Sequence, residues 1–175
     1  TIFWDSVSVK EATPGCVAAG KLACDGWQKL TGTDYKVSRV HSGSDTKDGA
    51  FYAAEVVNDS GSENDILVWP GPGTMETNDV HLVKFAGRTV TFGAWVKSDG
   101  ASQARLYVFD GSYAYSSYNA GTAYEWLEVT CAVSSSVTNF QLGLRVAAGD
   151  TAYISQSMLV LGSAIGSGNY SRPMG

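Results

Sequence analysis

Apolar and polar residues alternate one by one along most of the chain from residue 50 onward. A period of two is typical of β-strands that bury one face, and the three-to-four-residue spacing of an amphipathic helix is nearly absent. The clear strands are predicted at residues 51–58, 66–69, 88–98, 105–110, 125–134, 139–147 and 151–161, and weaker ones at 3–9 and 36–41. Glycine-containing breaks such as Asp110-Gly111 separate most of them. We therefore expect an all-β fold, a two-sheet antiparallel β-sandwich of jelly-roll type.

The same alternation divides each strand into a core face and an outward face. The residues predicted to lie inside are Val90, Phe92, Ala94, Val96, Leu106, Val108, Leu127, Val129, Cys131, Val133, Phe140, Leu142, Leu144 and Val146. This assignment turns Arg105, Tyr107 and Phe109 outward. An arginine flanked by two outward aromatic residues is unusual on a surface that only contacts water, so this strand is a candidate for a binding site.

Length and composition fit one domain. A chain of 175 residues with 44% hydrophobic residues can bury one core, and we expect a single domain over residues 1–165 followed by a Gly- and Ser-rich strap or linker over residues 166–175. The formal net charge of −5 disfavours nucleic acid as a partner, because phosphate binding needs clustered cations. No apolar stretch is long enough for membrane insertion, and the first residues lack the order of a secretory signal. Since the chain begins at Thr1, we expect a processed or excised piece of a longer protein.

Three cysteines leave an odd count. Cys16 and Cys24 bracket a short loop containing Gly and Ala, which either closes as a disulfide or stays open with two free thiols. Cys131 lies in an alternating pattern and is expected to be a small buried hydrophobic residue. Three thiols are too few for a disulfide scaffold, so the fold should depend on its apolar core.

No arrangement of side chains predicts catalysis. His41 and His81 both lie in polar, turn-rich stretches, so no nucleophile has a visible base. Asp110, Glu125 and Glu128 are near enough in sequence to suggest the carboxylate pair of a glycoside hydrolase, but surface charges on neighbouring strands give the same pattern. We therefore expect a protein that is not an enzyme.

Metal binding has little support in the ligand spacing. No Cys/His spacing suits zinc. Segment 58–65 offers oxygen ligands of the kind that calcium accepts but lacks the spaced acids of a calcium-binding loop, and segment 41–49 is weaker still. We interpret both as solvated loops. No cofactor is predicted, and a structural calcium stays open as an alternative.

A tyrosine-rich loop follows directly on the outward residues of strand 105–110. Sugar rings pack their C–H faces on aromatic planes while their hydroxyls bond to polar side chains, so this mixture suits a shallow face for a polysaccharide or cell-surface glycan. The residues predicted for this face are Arg105, Tyr107, Phe109, Tyr113, Tyr115, Tyr118, Trp126, Gln141 and Arg145. The same tyrosines could instead cap the sandwich edge or form a subunit interface.

Several segments in a fixed order resemble a known family. They are Ala23-Cys24-Asp25-Gly26-Trp27, Ala86-Gly87-Arg88-Thr89-Val90-Thr91, Trp95-Val96-Lys97 and Met158-Leu159-Val160-Leu161-Gly162. Over residues 23–165 the chain resembles the carbohydrate-binding-module-like jelly rolls of bacteriophage tail fibres and virion appendages, and more distantly those appended to xylanases. The resemblance implies glycan recognition on the concave sheet and its bordering loops, without catalysis.

One departure from that family concerns calcium. Enzyme-appended members usually carry acidic residues just after the aromatic–Ile pair of the last strand, where they help hold a structural calcium. This chain has Ser155 and Gln156 at those positions. The resemblance therefore gives no support for calcium at this place.

Residues and resemblance together predict a non-catalytic glycan-binding domain. We expect the receptor-binding or cell-surface polysaccharide-binding part of a phage tail fibre or virion appendage, on the virion or outside the cell, as a homo-oligomer within a larger fibre. Two alternatives stay open. One is a carbohydrate-binding module of a polysaccharide-degrading enzyme, and the other is a purely structural virion assembly domain.

Overall fold

A computed structural model describes residues 27–29, 33–47, 50, 52–69 and 80–167. Within them are ten strands and one short helix. The strands are β1 Gln28–Lys29, β2 Tyr35–Val40, β3 Ala53–Asn58, β4 Asn64–Trp69, β5 Thr89–Ser98, β6 Ala104–Phe109, β7 Tyr113–Tyr115, β8 Glu125–Ala132, β9 Gln141–Val146 and β10 Thr151–Leu161, and the helix is α1 Val80–Phe85. The predicted strand 3–9 and the Cys16–Cys24 pair lie outside the described residues. No helix in the described part has the length and apolar character needed to cross a bilayer.

The strands form two five-stranded antiparallel sheets. The first sheet has the order β1-β4-β9-β6-β7, and the second has the order β2-β3-β10-β5-β8. Long crossovers place strands that are distant in sequence side by side, as a jelly roll requires. The predicted two-sheet antiparallel β-sandwich of jelly-roll type is confirmed.

The core between the sheets follows the alternation. Of the residues predicted inside, all but one are buried: Val90, Phe92, Ala94, Val96, Leu106, Val108, Leu127, Val129, Val133, Phe140, Leu142, Leu144 and Val146. Cys131 is the exception, since it is a free, half-buried thiol that packs against the core from near the end of edge strand β8. Trp27 reaches the core as well, with its ring 6.1 Å from that of Phe92.

Three elements depart from the predicted pattern: the two-residue strand β1, helix α1 and strand β7. Helix α1 was not predicted, because six residues are too few to show a helical period; Leu82 and Phe85, three positions apart, are its buried contacts. Strand β7 lies in the predicted tyrosine loop. It is three residues long and, among the described residues, lies at the edge of its sheet, where it pairs with β6 through Tyr107 with Tyr115 and Phe109 with Tyr113.

Part of the outer surface of the second sheet, over β5 and β8, is covered by the chain itself. Glu128 accepts hydrogen bonds from the backbone N–H groups of Ile165 and Gly166, and Thr91 donates to the carbonyl of Gly162. Residues 162–166 therefore lie across β5 and β8, and we call this segment the strap. On the same surface Lys97 holds the loop after β2 by an ion pair with Asp45 at 3.0 Å. The domain boundary at residue 165 stays a prediction, and residues 168–175 lie outside the described part.

Candidate ligand-binding face

The outward residues of β6, β7 and β9 meet on the outer surface of the first sheet. The register pairs Arg105 with Arg145, and Phe109 with both Gln141 and Tyr113. Eight of the nine predicted site residues lie together here. We call this surface the tyrosine face; it comprises Glu63, Asp65, Arg105, Tyr107, Phe109, Tyr113, Tyr115, Tyr118, Gln141 and Arg145.

Glu63 and Asp65 were missed by the sequence analysis, which interpreted their segment as a solvated loop. Asp65 pairs with Arg145 in the sheet, and the β4–β9 register shifts between Asp65 and Leu67. Such a bulge bends a strand and re-aims its side chains. The signal available in the sequence was indirect: Arg105 and Arg145, both predicted outward, needed counter-charges from another strand.

Glu63 binds both arginines and Asp65 binds Arg145, so the four charged side chains form one network. Arg105 Nη2 lies 2.8 Å from Glu63 Oε2, and Arg145 Nε lies 3.0 Å from the same oxygen. Arg145 Nη1 lies 3.2 Å from Asp65 Oδ1. The two remaining carboxylate oxygens accept from tyrosine hydroxyls: Tyr118 donates to Glu63 Oε1 at 2.7 Å, and Tyr113 donates to Asp65 Oδ2 at 2.8 Å. All four carboxylate oxygens therefore have a partner.

The aromatic rings pack on one another and on the guanidinium groups. Tyr113 stacks on Tyr115 with ring centroids 5.3 Å apart and nearly parallel planes, and Phe109 lies 4.8 Å from Tyr113. The guanidinium of Arg105 lies 3.9 Å from the Tyr115 ring centre and 4.5 Å from that of Tyr118. Cation–π contacts of this kind fix the orientation of both partners. Tyr113 and Tyr118 remain 47% and 37% exposed, which makes them the accessible aromatic surface.

Burial and pairing move the pKa values of the two acids in opposite directions. Burial raises the pKa of Asp65, and the hydrogen bond from Tyr113 and the charge of Arg145 offset this only in part. Burial also acts on Glu63, but the hydrogen bonds from Tyr118 and Arg105 outweigh it and lower the pKa of Glu63. The pKa of Tyr113 rises to about 12 through burial and its bond to Asp65. Glu63 is therefore the more firmly ionised of the two acids.

Two buried asparagines hold the loops that carry the outer residues of this face. The Asn119 side chain accepts from the backbone N–H groups of Gln103 and Ala104 and donates to Ser98 Oγ and to the carbonyls of Gly100 and Gly121. These bonds fix the loop that presents Tyr118. Asn58 does the same for the turn before Glu63, since it donates to the carbonyls of Ser62, Val146 and Ala147. Both are buried amides that position residues of the face.

Tyr107 lies on this face but forms its floor. Its side chain is 1% exposed beneath Tyr113, whose ring lies 5.6 Å away, so the expectation that Tyr107 contacts a ligand directly is corrected. The alternation gave the correct side of the sheet, but β7 covers that position. Among the described residues the Tyr107 hydroxyl has no hydrogen-bond partner, and burial raises its pKa strongly.

Trp126 does not join the tyrosine face. It lies on β8, in the second sheet, its ring is 5.8 Å from that of Trp95, and it packs over Gly93, which Ile165 also approaches. Its indole N–H donates to Glu128 at 2.9 Å. Outward residues of the two sheets point to opposite sides of the sandwich, so the expectation that Trp126 shares this face is wrong.

The carboxylates considered for glycoside cleavage all have structural partners. Asp110 accepts from the Ser112 and Ser134 backbone N–H groups, Glu125 accepts from the backbone N–H of Ala120, and Glu128 holds the strap. These bonds lower the pKa of Asp110 and of Glu128, although burial of Asp110 acts in the opposite direction. A lowered pKa is the reverse of what a general acid needs.

Calcium does not fit the position that the family resemblance marks. The Ser155 side chain is buried, and its hydroxyl lies 3.5 Å from the carbonyl oxygen of Tyr52; Gln156 has a left-handed backbone with φ of 51° at the irregularity in β10. Calcium takes six to eight oxygen ligands, carboxylates above all. Within the described ranges there is no group of three or more His, Cys, Asp or Glu residues arranged to hold a metal ion.

Comparisons with known proteins concern the fold. No protein-family model matches the chain, and no curated protein matches its sequence. Solved structures do match. The CBM22-1 xylan-binding domain of Xyn10C from Paenibacillus barcinonensis has a TM-score of 0.55 and 14% identity, covering 89% of this chain and 99% of that one.

Two larger proteins contain a similar unit. The CBM22-1–GH10 modules of Clostridium thermocellum xylanase 10B, complexed with xylohexaose, give a TM-score of 0.56 and 14% identity over 79% of this chain and 26% of that chain. The enzymatically active domain of bacteriophage CBA120 tailspike protein 4 gives a TM-score of 0.51 and 14% identity over 78% of this chain and 19% of that one. The chain therefore spans about a quarter or less of these two relatives, and it shares the β-sandwich fold of carbohydrate-binding modules.

Proposed function

We propose that this domain binds glycans without catalysis and that the ligand lies on the tyrosine face. The observation that carries the proposal is the convergence of exposed Tyr113 and Tyr118 with the polar groups of Glu63, Asp65 and Arg145 on one surface. These side chains suit a sugar, because its C–H groups pack on tyrosine rings and its hydroxyls form hydrogen bonds with carboxylate and guanidinium groups. The fold shared with carbohydrate-binding modules supports the same reading.

The rigidity of the face also suits this function. Asn119 and Asn58 hold both loops by buried hydrogen bonds, and the guanidinium groups lock the ring planes. A preformed surface loses little conformational entropy on binding. With only two accessible rings, each worth roughly 0.5–1.5 kcal/mol, a single copy should bind in about the millimolar-to-micromolar range. Firm adhesion then requires several copies acting together.

For the parent protein we propose a phage tail fibre or virion appendage, outside the cell, in which several copies act on a cell-surface polysaccharide. The similarity to a unit of a bacteriophage tailspike protein supports this setting. A module of a polysaccharide-degrading enzyme is the alternative, supported by the similar unit in a xylanase. The proposals share one binding face and differ in oligomeric state and in neighbouring domains.

A glycan array on the isolated chain tests the proposal, with a mass measurement in solution beside it. We expect selective glycan binding that the double variant Tyr113→Ala/Tyr118→Ala abolishes while the chain stays folded by circular dichroism. Its melting temperature should fall somewhat, because the two hydroxyls bond to Asp65 and Glu63 and Tyr113 covers Tyr107. Leu161→Ala is the matched control; Leu161 is 48% exposed at the end of β10 in the second sheet, and its variant should bind normally.

Two results would contradict the proposal. If the wild-type chain bound no glycan but assembled through the tyrosine face, so that the double variant were monomeric, the face would be an assembly interface. If the wild-type chain released sugars from a bound polysaccharide, the domain would be catalytic.

A further inference from the structure

We infer that Glu63 and Asp65 determine which class of glycan the tyrosine face takes: they reserve it for uncharged sugars and exclude chains that carry uronate or other carboxylate groups. This inference rests on the proposed function and deepens it. Its basis is the network in which both arginines of the face are already bound to carboxylates of the protein, at 2.8–3.2 Å.

The first step concerns the arginines. A guanidinium recognises a carboxylate best through two parallel N–H groups that are open to the ligand. Here the Arg105 side chain is 19% exposed and the Arg145 side chain 21% exposed. Arg105 binds Glu63 and lies between two tyrosine rings, and Arg145 Nη1 donates both to Asp65 and to the Tyr115 hydroxyl, the latter at 2.8 Å. Each guanidinium therefore already has an N–H group engaged by a carboxylate of the protein, which limits two-pronged binding of a ligand carboxylate.

The second step concerns charge. Two arginines and two carboxylates make the face formally neutral. An acidic sugar would either add a third negative charge to it or displace Glu63 or Asp65, whose side chains are 25% and 14% exposed. A displaced carboxylate would be left half-buried without its counter-charge, which is strongly unfavourable. A neutral sugar hydroxyl carries no such cost, because it can bond to the ionised pair at its solvent edge.

The third step concerns what holds the carboxylates in place. Each is tied to a tyrosine of the accessible surface, Glu63 to Tyr118 and Asp65 to Tyr113. Replacing the acids by amides of the same shape keeps oxygen acceptors for these hydroxyls while removing both negative charges. The face would then carry two unneutralised arginines and would favour anionic ligands.

The experiment is titration calorimetry with soluble polysaccharides on the wild type and on Glu63→Gln/Asp65→Asn. The neutral probes are xylan, galactan and β-glucan, and the acidic probes are polygalacturonate and hyaluronate. The wild type should bind at least one neutral probe on the order of tenfold or more tightly than either acidic one. The double variant should gain acidic binding on the order of tenfold, as expected for new charge-assisted bonds, and high salt should reverse the gain.

A charge-matched control separates the local effect from net charge. Glu63→Gln/Asp65→Asn raises the formal net charge by two, from −5 to −3. Asp34→Asn/Asp99→Asn raises it equally at two exposed turns outside the tyrosine face and should gain nothing. The single variant Glu63→Gln should show a smaller gain in affinity for the acidic probes. It replaces the double variant if that does not fold, as judged by circular dichroism.

The outcomes distinguish this inference from the proposed function. If the wild type binds a neutral probe through Tyr113 and Tyr118 but the folded variants gain no acidic binding, or the control pair gains as much, the inference is overturned and glycan binding stands. Equal wild-type affinity for acidic and neutral probes overturns it as well. Failure of the wild type to bind any probe would overturn the proposed function and this inference with it.

Discussion

Gly143 and Leu67 approach so closely where β9 pairs with β4 that a Cβ on residue 143 would overlap the carbonyl oxygen of Leu67. The same Cβ would lie 3.1 Å from the Tyr107 ring. The close approach occurs next to the bulge that aims Asp65 at Arg145. The bare backbone of Gly143 thus makes room for both the bulge and the aromatic floor of the tyrosine face.

Gly143→Ala should therefore destabilise the domain and disturb the face. Because the clash is with backbone rather than with a flexible side chain, we expect a loss of about 1–3 kcal/mol or more in the free energy of unfolding. Gly61→Ala is the control, since a Cβ there meets nothing within 4 Å, and it should stay within about 0.5 kcal/mol of the wild type. Urea unfolding of both variants is the measurement, and equal stability would refute the close approach.

Tyr107 offers a test of the buried floor. Tyr107→Ala removes a fully buried ring and should cost about 3–5 kcal/mol. Tyr107→Phe keeps the ring and removes only the hydroxyl that lacks a partner among the described residues, so its free energy of unfolding should match or exceed that of the wild type by up to about 1 kcal/mol. Guanidinium unfolding measures both, and a Phe variant clearly weaker than the wild type would mean that the hydroxyl is bonded.

The alternation along the chain predicted much of the architecture, because every second residue of a strand with one buried face is apolar. Arg105 and Phe109 are outward, and Leu106 and Val108 are buried, as that period predicts. What alternation cannot show is which sheet a strand joins. Trp126 is outward as expected, yet its strand belongs to the second sheet and so faces the opposite side of the sandwich.

The acidic residues of the tyrosine face could not be predicted from short stretches of sequence, for a different reason. Glu63 and Arg105 are 42 residues apart, and Asp65 and Arg145 are 80 residues apart, so their pairing depends on a crossover topology that no short window contains. Glu63 also lies just before β4, in a turn without a period of its own. Tyr107 shows the same limit, because its burial comes from the cover provided by β7.

Asn119 should matter to binding without touching a ligand. Asn119→Ala leaves two backbone N–H groups without their acceptor and removes one donor from each of three acceptors. We expect a cost of about 2–4 kcal/mol together with a loosened Tyr118 loop. Glycan affinity should fall at a temperature where the variant is still folded. The exposed Asn139→Ala is the matched control and should change neither property. Unchanged affinity in a folded Asn119→Ala variant would show that the Tyr118 loop keeps its conformation without the Asn119 side chain.

The pH dependence of stability should reveal the charge that anchors the strap. The indole N–H of Trp126 and the backbone N–H of Gly166 lower the pKa of Glu128 from its ordinary value of 4.5. A carboxylate with a lowered folded pKa stabilises the fold above its unfolded pKa, and this contribution disappears as the pH falls through the folded pKa. Glu128→Gln should therefore be less stable than the wild type at pH near 7, and this difference in stability should disappear on acidification below about pH 4.5.

Thr130→Val is the control, because it removes the hydroxyl bond to the Ser163 carbonyl of the same strap but no titrating group. Its stability deficit should stay constant with pH, and a Glu128→Gln deficit that did the same in thermal unfolding would show that the ionised carboxylate does not hold the strap.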